Sequence, residues 1–274
     1  MIVKKKTAPI PQPIKHSHAT ERAEVHVSAP EKKETNVVST SILFFAILIL
    51  TPFAIDFFGK LFVAIGAQKA ATFFAQNLWL GDVLGYLPIY LLILFYIKTT
   101  FNPLSDFGYT WNKQYLWWAV YIGVGSGLII FGMDYLSGID KLHVESLTTL
   151  RLFGYLLSWV LLPALAEETL FRGVIQNYYQ KNTTKTFTKH NIHIAVFIGV
   201  IADIIFHLAT PIYFGMTNGG ISQAIISTIP QLIYVAVFGF LSGIMYQRTN
   251  SLVGPFIIHA LGNLIELILI WKIM

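Results

Sequence analysis

Arg151–Tyr179 reads RLFGYLLSWVLLPALAEETLFRGVIQNYY: an apolar run with two adjacent glutamates near its middle. A helix needs about 20 apolar residues to cross the hydrocarbon core of a bilayer. Ionisable groups at that depth are costly and by default mark function. Arg172 follows Glu168 by four residues, so the two share one helix face and can pair. Glu167 points about 100° away around the same helix and lacks that partner. One carboxylate neutralised by arginine beside one left free suits general-base chemistry.

The rest of the chain reads as membrane. Of its 274 residues, 55% are hydrophobic and 12% charged, and mean hydropathy is +0.62. A soluble domain of this size has no need for several apolar runs near 20 residues. The expected fold class is all-α, a polytopic membrane protein of about 7–8 transmembrane helices around a polar intramembrane cavity. Spans are expected over 41–65, 78–97, 115–136, 152–179, 192–214, 221–246 and 252–271. The first carries Pro52 and Asp56–Lys60 and reads as kinked or split. The fourth and sixth exceed a perpendicular crossing, so they tilt, extend or break near Pro163 and Pro230. An eighth helix follows if one span divides. No internal repeat is evident.

Three regions are expected: a disordered cytoplasmic tail over 1–38, N-terminal transmembrane helices over 39–150, and a catalytic-type membrane core over 151–274. The tail is rich in Lys, Pro, Thr, His and Glu without a sustained apolar pattern. Residues 1–40 hold seven basic and four acidic groups, against 12 and 10 in the remainder. The pI of about 9.2 therefore owes much to the tail. The basic residues form no stripe on a folded domain, so nucleic acid is not an expected partner. Zero cysteines exclude disulfides and thiolate chemistry. The first apolar run starts near Ser41, too late for a signal peptide, and reads as a retained helix. Lys98, Lys113, Lys181, Lys185, Lys189 and Arg248 fall on the same side as the tail. That bias favours a cytoplasmic N-terminus in a multi-pass cell membrane protein.

Two later spans carry polar groups at helical spacing. In AVFIGVIADIIFHLATPIYF, Asp203 and His207 are four apart. In SLVGPFIIHALGNLIELILIW, His259, Asn263 and Glu266 fall at i, i+4 and i+7. Lipid exposure of these groups is unfavourable, so the economical solution turns the three faces inward around one wet cavity. A Glu–His pair can hold and deprotonate water; a second His and an Asn can donate to a developing oxyanion. Each element has a bland counterpart. Glu168–Arg172 also serves as a structural clamp, His207 as an interhelical histidine, and His259 and Asn263 as packing glue. Gly262 beside that face permits close helix approach. There is no HExxH; two His with a Glu can still hold zinc, through Glu167, His207 and His259.

The residues in this order resemble the CPBP family of intramembrane proteases, which includes the type II CAAX prenyl endopeptidases and bacterial proteins of bacteriocin processing or immunity. Glu167, Glu168 and Arg172 match the EExxxR motif, His207 the histidine of FxxxH, and His259 and Asn263 both positions of HxxxN. The resemblance spans about 152–271. One departure is Asp203, where the family has Phe; it is either drift at a packing position or a carboxylate that orients His207. The resemblance implies that Glu167 activates water with His207, that His259 and Asn263 stabilise the oxyanion, and that Glu168 and Arg172 hold the site. No cofactor is required and zinc is compatible; the metal-free mechanism is preferred because Asn263 is a poor zinc ligand and an adequate oxyanion donor.

The expected function is thus an intramembrane endopeptidase acting on a peptide or small membrane protein in a bacterial plasma membrane. A leader or signalling peptide fits better than a prenylated substrate, and bacteriocin maturation or self-immunity is one form of it. The rival is a non-catalytic membrane protein that binds a peptide, confers immunity or acts as a scaffold. Proton-coupled transport also uses intramembrane Glu, Asp and His, but it calls for repeat-related broken helices. The substrate, oligomeric state and metal state are not specified by these residues.

Overall fold

The computed structural model describes residues 77–100, 102–136, 149–187, 191–218 and 220–273, with Leu61, Ala64 and Gly66. The expected tail and, apart from Leu61 and Ala64, the span over 41–65 with Pro52 and Asp56–Lys60 lie outside them. Six helices form the described fold: α1 Leu78–Thr99, α2 Leu116–Leu136, α3 Thr149–Asn182, α4 Ile194–Asn218, α5 Ile221–Thr249 and α6 Val253–Ile273. They coincide with six of the seven expected spans. Helices α2 to α6 contain the five segments long and apolar enough to cross a membrane, and α1 adds the shorter apolar stretch Gly85–Thr99. The chain is an all-α polytopic membrane protein.

Neither Pro163 nor Pro230 divides its span. Helix α5 runs on through Pro230. Helix α3 absorbs Pro163 by widening: it is π-helical over Leu156–Leu161 just before the proline. Proline has no N–H for the carbonyl four residues earlier, so the ladder there must re-register. A second π-helical stretch, Thr169–Gln176, follows Glu168 directly. The sequence offers no comparable cause for it.

Helix α3 is the centre of the bundle. Leu170, Phe171, Val174 and Ile175 are buried against Ile93 and Ile97 of α1 and Ala202 of α4. Large apolar side chains on the outer faces, such as Leu92 and Phe95 of α1 and Ile226 and Ile233 of α5, are left exposed. A surface of that kind suits lipid rather than water. Helices α2 and α6 approach through glycine. A Cβ on Gly127 would lie 2.6 Å from the Gly262 carbonyl, and one on Gly262 would lie 2.6 Å from Ser126 Oγ. In lipid such close packing replaces the hydrophobic drive between helices.

At one end of the bundle three connections are knitted together. Leu252 N–H donates to the Gly108 carbonyl at 2.8 Å, Asn112 Nδ2 to the Thr249 carbonyl at 3.0 Å, and Lys181 Nζ to the Asp106 carbonyl at 2.9 Å. Exposed Trp111, Trp117, Trp118 and Tyr121 ring this end, as aromatic side chains do at a membrane–water boundary. A short ladder pairs Thr186–Phe187 with Ile192–His193 between α3 and α4.

The α2–α6 contact gives a direct test. Gly127→Val should lower stability by about 1–3 kcal/mol, the usual range for overpacking, read as a fall in unfolding midpoint in detergent. Gly125→Val, where a Cβ meets nothing within 4 Å, should not.

Candidate functional site

The two glutamates lie at the end of the α-helical turn Leu162–Glu168, and Arg172 lies in the π-helical stretch that follows. All three are buried, Arg172 to 1% exposure. The guanidinium reaches two carboxylates on different helices. Its Nε lies 3.3 Å from Glu168 Oε2, and its Nη2 donates to Asp203 Oδ2 of α4 at 3.0 Å. Glycine at 239 lets α5 close over this pair: a Cβ there would lie 3.2 Å from Asp203 Oδ2 and 3.3 Å from Arg172 Nη2.

Each of those carboxylates holds one histidine. Asp203 Oδ1 lies 3.2 Å from His207 Nδ1, and the Asp203 main-chain carbonyl lies 3.0 Å from the same nitrogen. Glu168 Oε1 lies 3.1 Å from His259 Nδ1 on α6. Both Nδ1 atoms face only acceptors here, so each carries the proton, and each Nε2 is left for other work. Both Nε2 atoms face the same oxygen: Glu167 Oε2 is 3.8 Å from His207 Nε2 and 4.0 Å from His259 Nε2. The other oxygen, Oε1, accepts a hydrogen bond from the Tyr86 hydroxyl of α1 at 2.8 Å.

The sequence reading placed Glu168 with Arg172 and left Glu167 free of the arginine, and the contacts agree. Asp203 makes the contact with His207 Nδ1 that its orienting reading requires. Two features were not read from sequence. One is that Arg172 serves Asp203 as well as Glu168. The other is Tyr86, whose only signal was a polar ring in an apolar helix, one turn before Tyr90.

Asn263 behaves differently from the expectation of a free amide donor. Its Nδ2 donates to the Trp159 carbonyl at 2.8 Å. Trp159 is the residue four before Pro163, so its carbonyl is the one the proline leaves without an α-helical partner. One amide N–H is thereby committed to the scaffold. Glu266, a turn further along α6, is buried and faces Asp134 of α2 instead of the cluster.

The expected metal set, Glu167, His207 and His259, is matched in part. Among the described residues, the group whose ligand atoms all lie within 4.8 Å of one another is Glu167, Asp203 and His207; His259 stands outside it. Asp203 already has one oxygen on Arg172 and the other on His207, so it fits better as the group behind a histidine than as a ligand.

A cleft of about 310 Å³ opens beside the cluster at the knitted end. Trp111, Leu165, Leu252 and Phe256 form apolar walls, with Glu168 and Thr169 among its lining. Thr169 Oγ1 meets the Tyr109 hydroxyl at 2.8 Å, which meets Tyr90 at 3.2 Å. Burial pushes the Tyr109 phenol up, so it remains a neutral hydroxyl.

Residues 149–265 match the family described as Type II CAAX prenyl endopeptidase Rce1-like. That stretch holds all six motif residues and is similar to CAAX-protease-type intramembrane endopeptidases, the likeness that EExxxR and HxxxN implied. Helices α1 and α2, and with them Tyr86, lie outside the match. No curated protein and no solved structure matches the chain.

Two substitutions probe the scaffold. Arg172→Ala leaves two buried carboxylates, Glu168 and Asp203, without their guanidinium, and should destabilise by about 3–5 kcal/mol, read from unfolding midpoints in detergent. Asn263→Ala should cost about 1–3 kcal/mol by leaving a membrane-buried carbonyl without its donor. Pro163→Ala in that background should recover part of the loss, because it restores an N–H four residues after Trp159.

Proposed function

We propose that the protein is an intramembrane endopeptidase in which Glu167 activates water to cleave a peptide or small membrane protein. The observation that carries this is the convergence of both histidine Nε2 atoms on one oxygen of Glu167, at 3.8 and 4.0 Å. Those separations are too long for direct hydrogen bonds and suit a bridging water. Glu167 Oε2 takes a proton from that water as its oxygen attacks the scissile carbonyl carbon. The carbonyl electron pair moves onto its oxygen. Protonated His259 Nε2 and the second N–H of Asn263 donate to the oxyanion. As the tetrahedral intermediate collapses, the C–N bond breaks and Glu167 returns its proton to the leaving amine. His207 accepts from the water through Nε2, held in its Nδ1–H tautomer by Asp203, while Glu168 on Nδ1–H stabilises the doubly protonated His259 that donates from Nε2. The cluster holds three carboxylates, two imidazoles and one guanidinium, so protons shared among the carboxylates and imidazoles set its charge.

A divalent metal suits the same donors. Glu167 and the two Nε2 atoms would hold it, while Asp203 and Glu168 take the Nδ1–H groups, as carboxylates do behind metal-bound histidines. When bound it supplies Lewis-acid polarisation and a more acidic water. With a metal bound, both histidines would act as ligands through Nε2 instead of holding the water and donating to the oxyanion, and a chelator titration separates the two cases.

The cleft at the knitted end leads toward Glu168 and gives a peptide with apolar side chains a way in. Lys98, Lys113, Lys181, Lys185 and Arg248 belong to that end, which the positive-inside bias makes cytoplasmic, with the N-terminus on the same side. A bacterial plasma membrane and a leader, signalling or bacteriocin-related peptide are the setting this favours.

The test compares wild type with Glu167→Ala and His207→Ala in the native host at matched protein levels, reading membrane peptides by mass spectrometry. Both variants should accumulate the same uncut peptide, with turnover down about 100-fold or more. If neither alters any peptide while each still complements the deletion strain, the protein binds peptide, confers immunity or acts as a scaffold without cleaving.

A further inference from the structure

Tyr86 stands outside the three motifs and outside the family match, yet it is the one described side chain hydrogen-bonded to Glu167 Oε1, at 2.8 Å. A carboxylate held at one end only rotates easily, because the terminal torsion of glutamate is broad and two-fold. Either oxygen would then face the histidines. The Tyr86 hydroxyl removes that freedom. It donates, so Oε1 must accept, and Oε2 is the oxygen left for the imidazoles.

This also decides where a proton can sit. When Glu167 has taken a proton, an O–H on Oε1 would point at the donating phenol, whereas an O–H on Oε2 points toward both Nε2 atoms. Helix α1 is seated firmly enough to set this. Trp79 fills the space left by Gly154, where a Cβ would lie 2.4 Å from its ring. One turn beyond Tyr86, Tyr90 joins α1 to α3 through the Tyr109 and Thr169 hydroxyls.

We propose that Tyr86 is a positioning residue for the reaction: it pins Glu167 Oε1 so that only Oε2 exchanges protons with water and the leaving group. The inference rests on Glu167 being the base. It gives α1, a helix without motif residues, a direct part in the chemistry.

The experiment uses full-length protein in bilayers, with wild type, Glu167→Ala, Glu167→Gln and Tyr86→Phe. The probe is the membrane-peptide extract of the deletion strain, followed by a synthetic copy of the peptide that wild type cuts fastest. Tyr86→Phe should lower kcat about tenfold to a hundredfold, the range for removing a partner that orients an active group. KM and the unfolding midpoint should stay near wild type. In difference infrared spectra, the carboxyl band that Glu167→Gln abolishes should shift in Tyr86→Phe. A Tyr86→Phe protein with wild-type kcat or an unmoved band overturns the assignment. So does a loss of rate that tracks a lowered unfolding midpoint with no band shift. If Tyr86→Phe cuts normally while Glu167→Ala does not, the protease function stands and Tyr86 is structural. If Glu167→Ala also cuts normally, Glu167 as the base and the role of Tyr86 both fall.

Discussion

One guanidinium organises the site. Arg172 is buried to 1% exposure and touches carboxylates from two helices, Glu168 on its own and Asp203 on α4. A planar fork with several donors can do this; a lysine ammonium is a single point of charge. Each carboxylate then fixes one imidazole through Nδ1, and both imidazoles turn Nε2 toward Glu167. Three of the helices that carry polar residues are thus tied to one cation. The same logic explains why Glu167 has no contact of its own with the arginine: it is held by a neutral phenol, which leaves its second oxygen for chemistry.

The bilayer makes such an arrangement obligatory. A charged group inside hydrocarbon must find a partner, and a carbonyl freed by proline must find a donor. Arg172 answers the first demand and Asn263 the second. The π-helical stretches of α3 belong to the same account, since they flank the Leu162–Glu168 turn and set how the glutamates and the arginine project. Wide turns of this kind are common where a helix carries function. Around this centre the remaining packing is ordinary for a membrane protein: glycine contacts between α2 and α6, and apolar outer faces toward lipid.

Local spacing determined much of this protein from sequence alone. Apolar runs of sufficient length gave the spans, because a helix that crosses lipid must satisfy its own backbone and cover it with apolar side chains. Four-residue spacing gave Glu168–Arg172 and Asp203–His207, since those pairs lie on one helix and need no knowledge of the fold. The EExxxR, histidine and HxxxN residues pointed to the family through their order. Tertiary structure decided what depends on how helices face one another. The second carboxylate on Arg172, the pairing of His259 with Glu168 and the convergence on Glu167 Oε2 all cross between helices. The commitment of Asn263 to Trp159 and the hydroxyl of Tyr86 on Oε1 do the same. No periodicity along one chain segment encodes the rotation of its neighbour, and that rotation is set by the mutual packing of all of them.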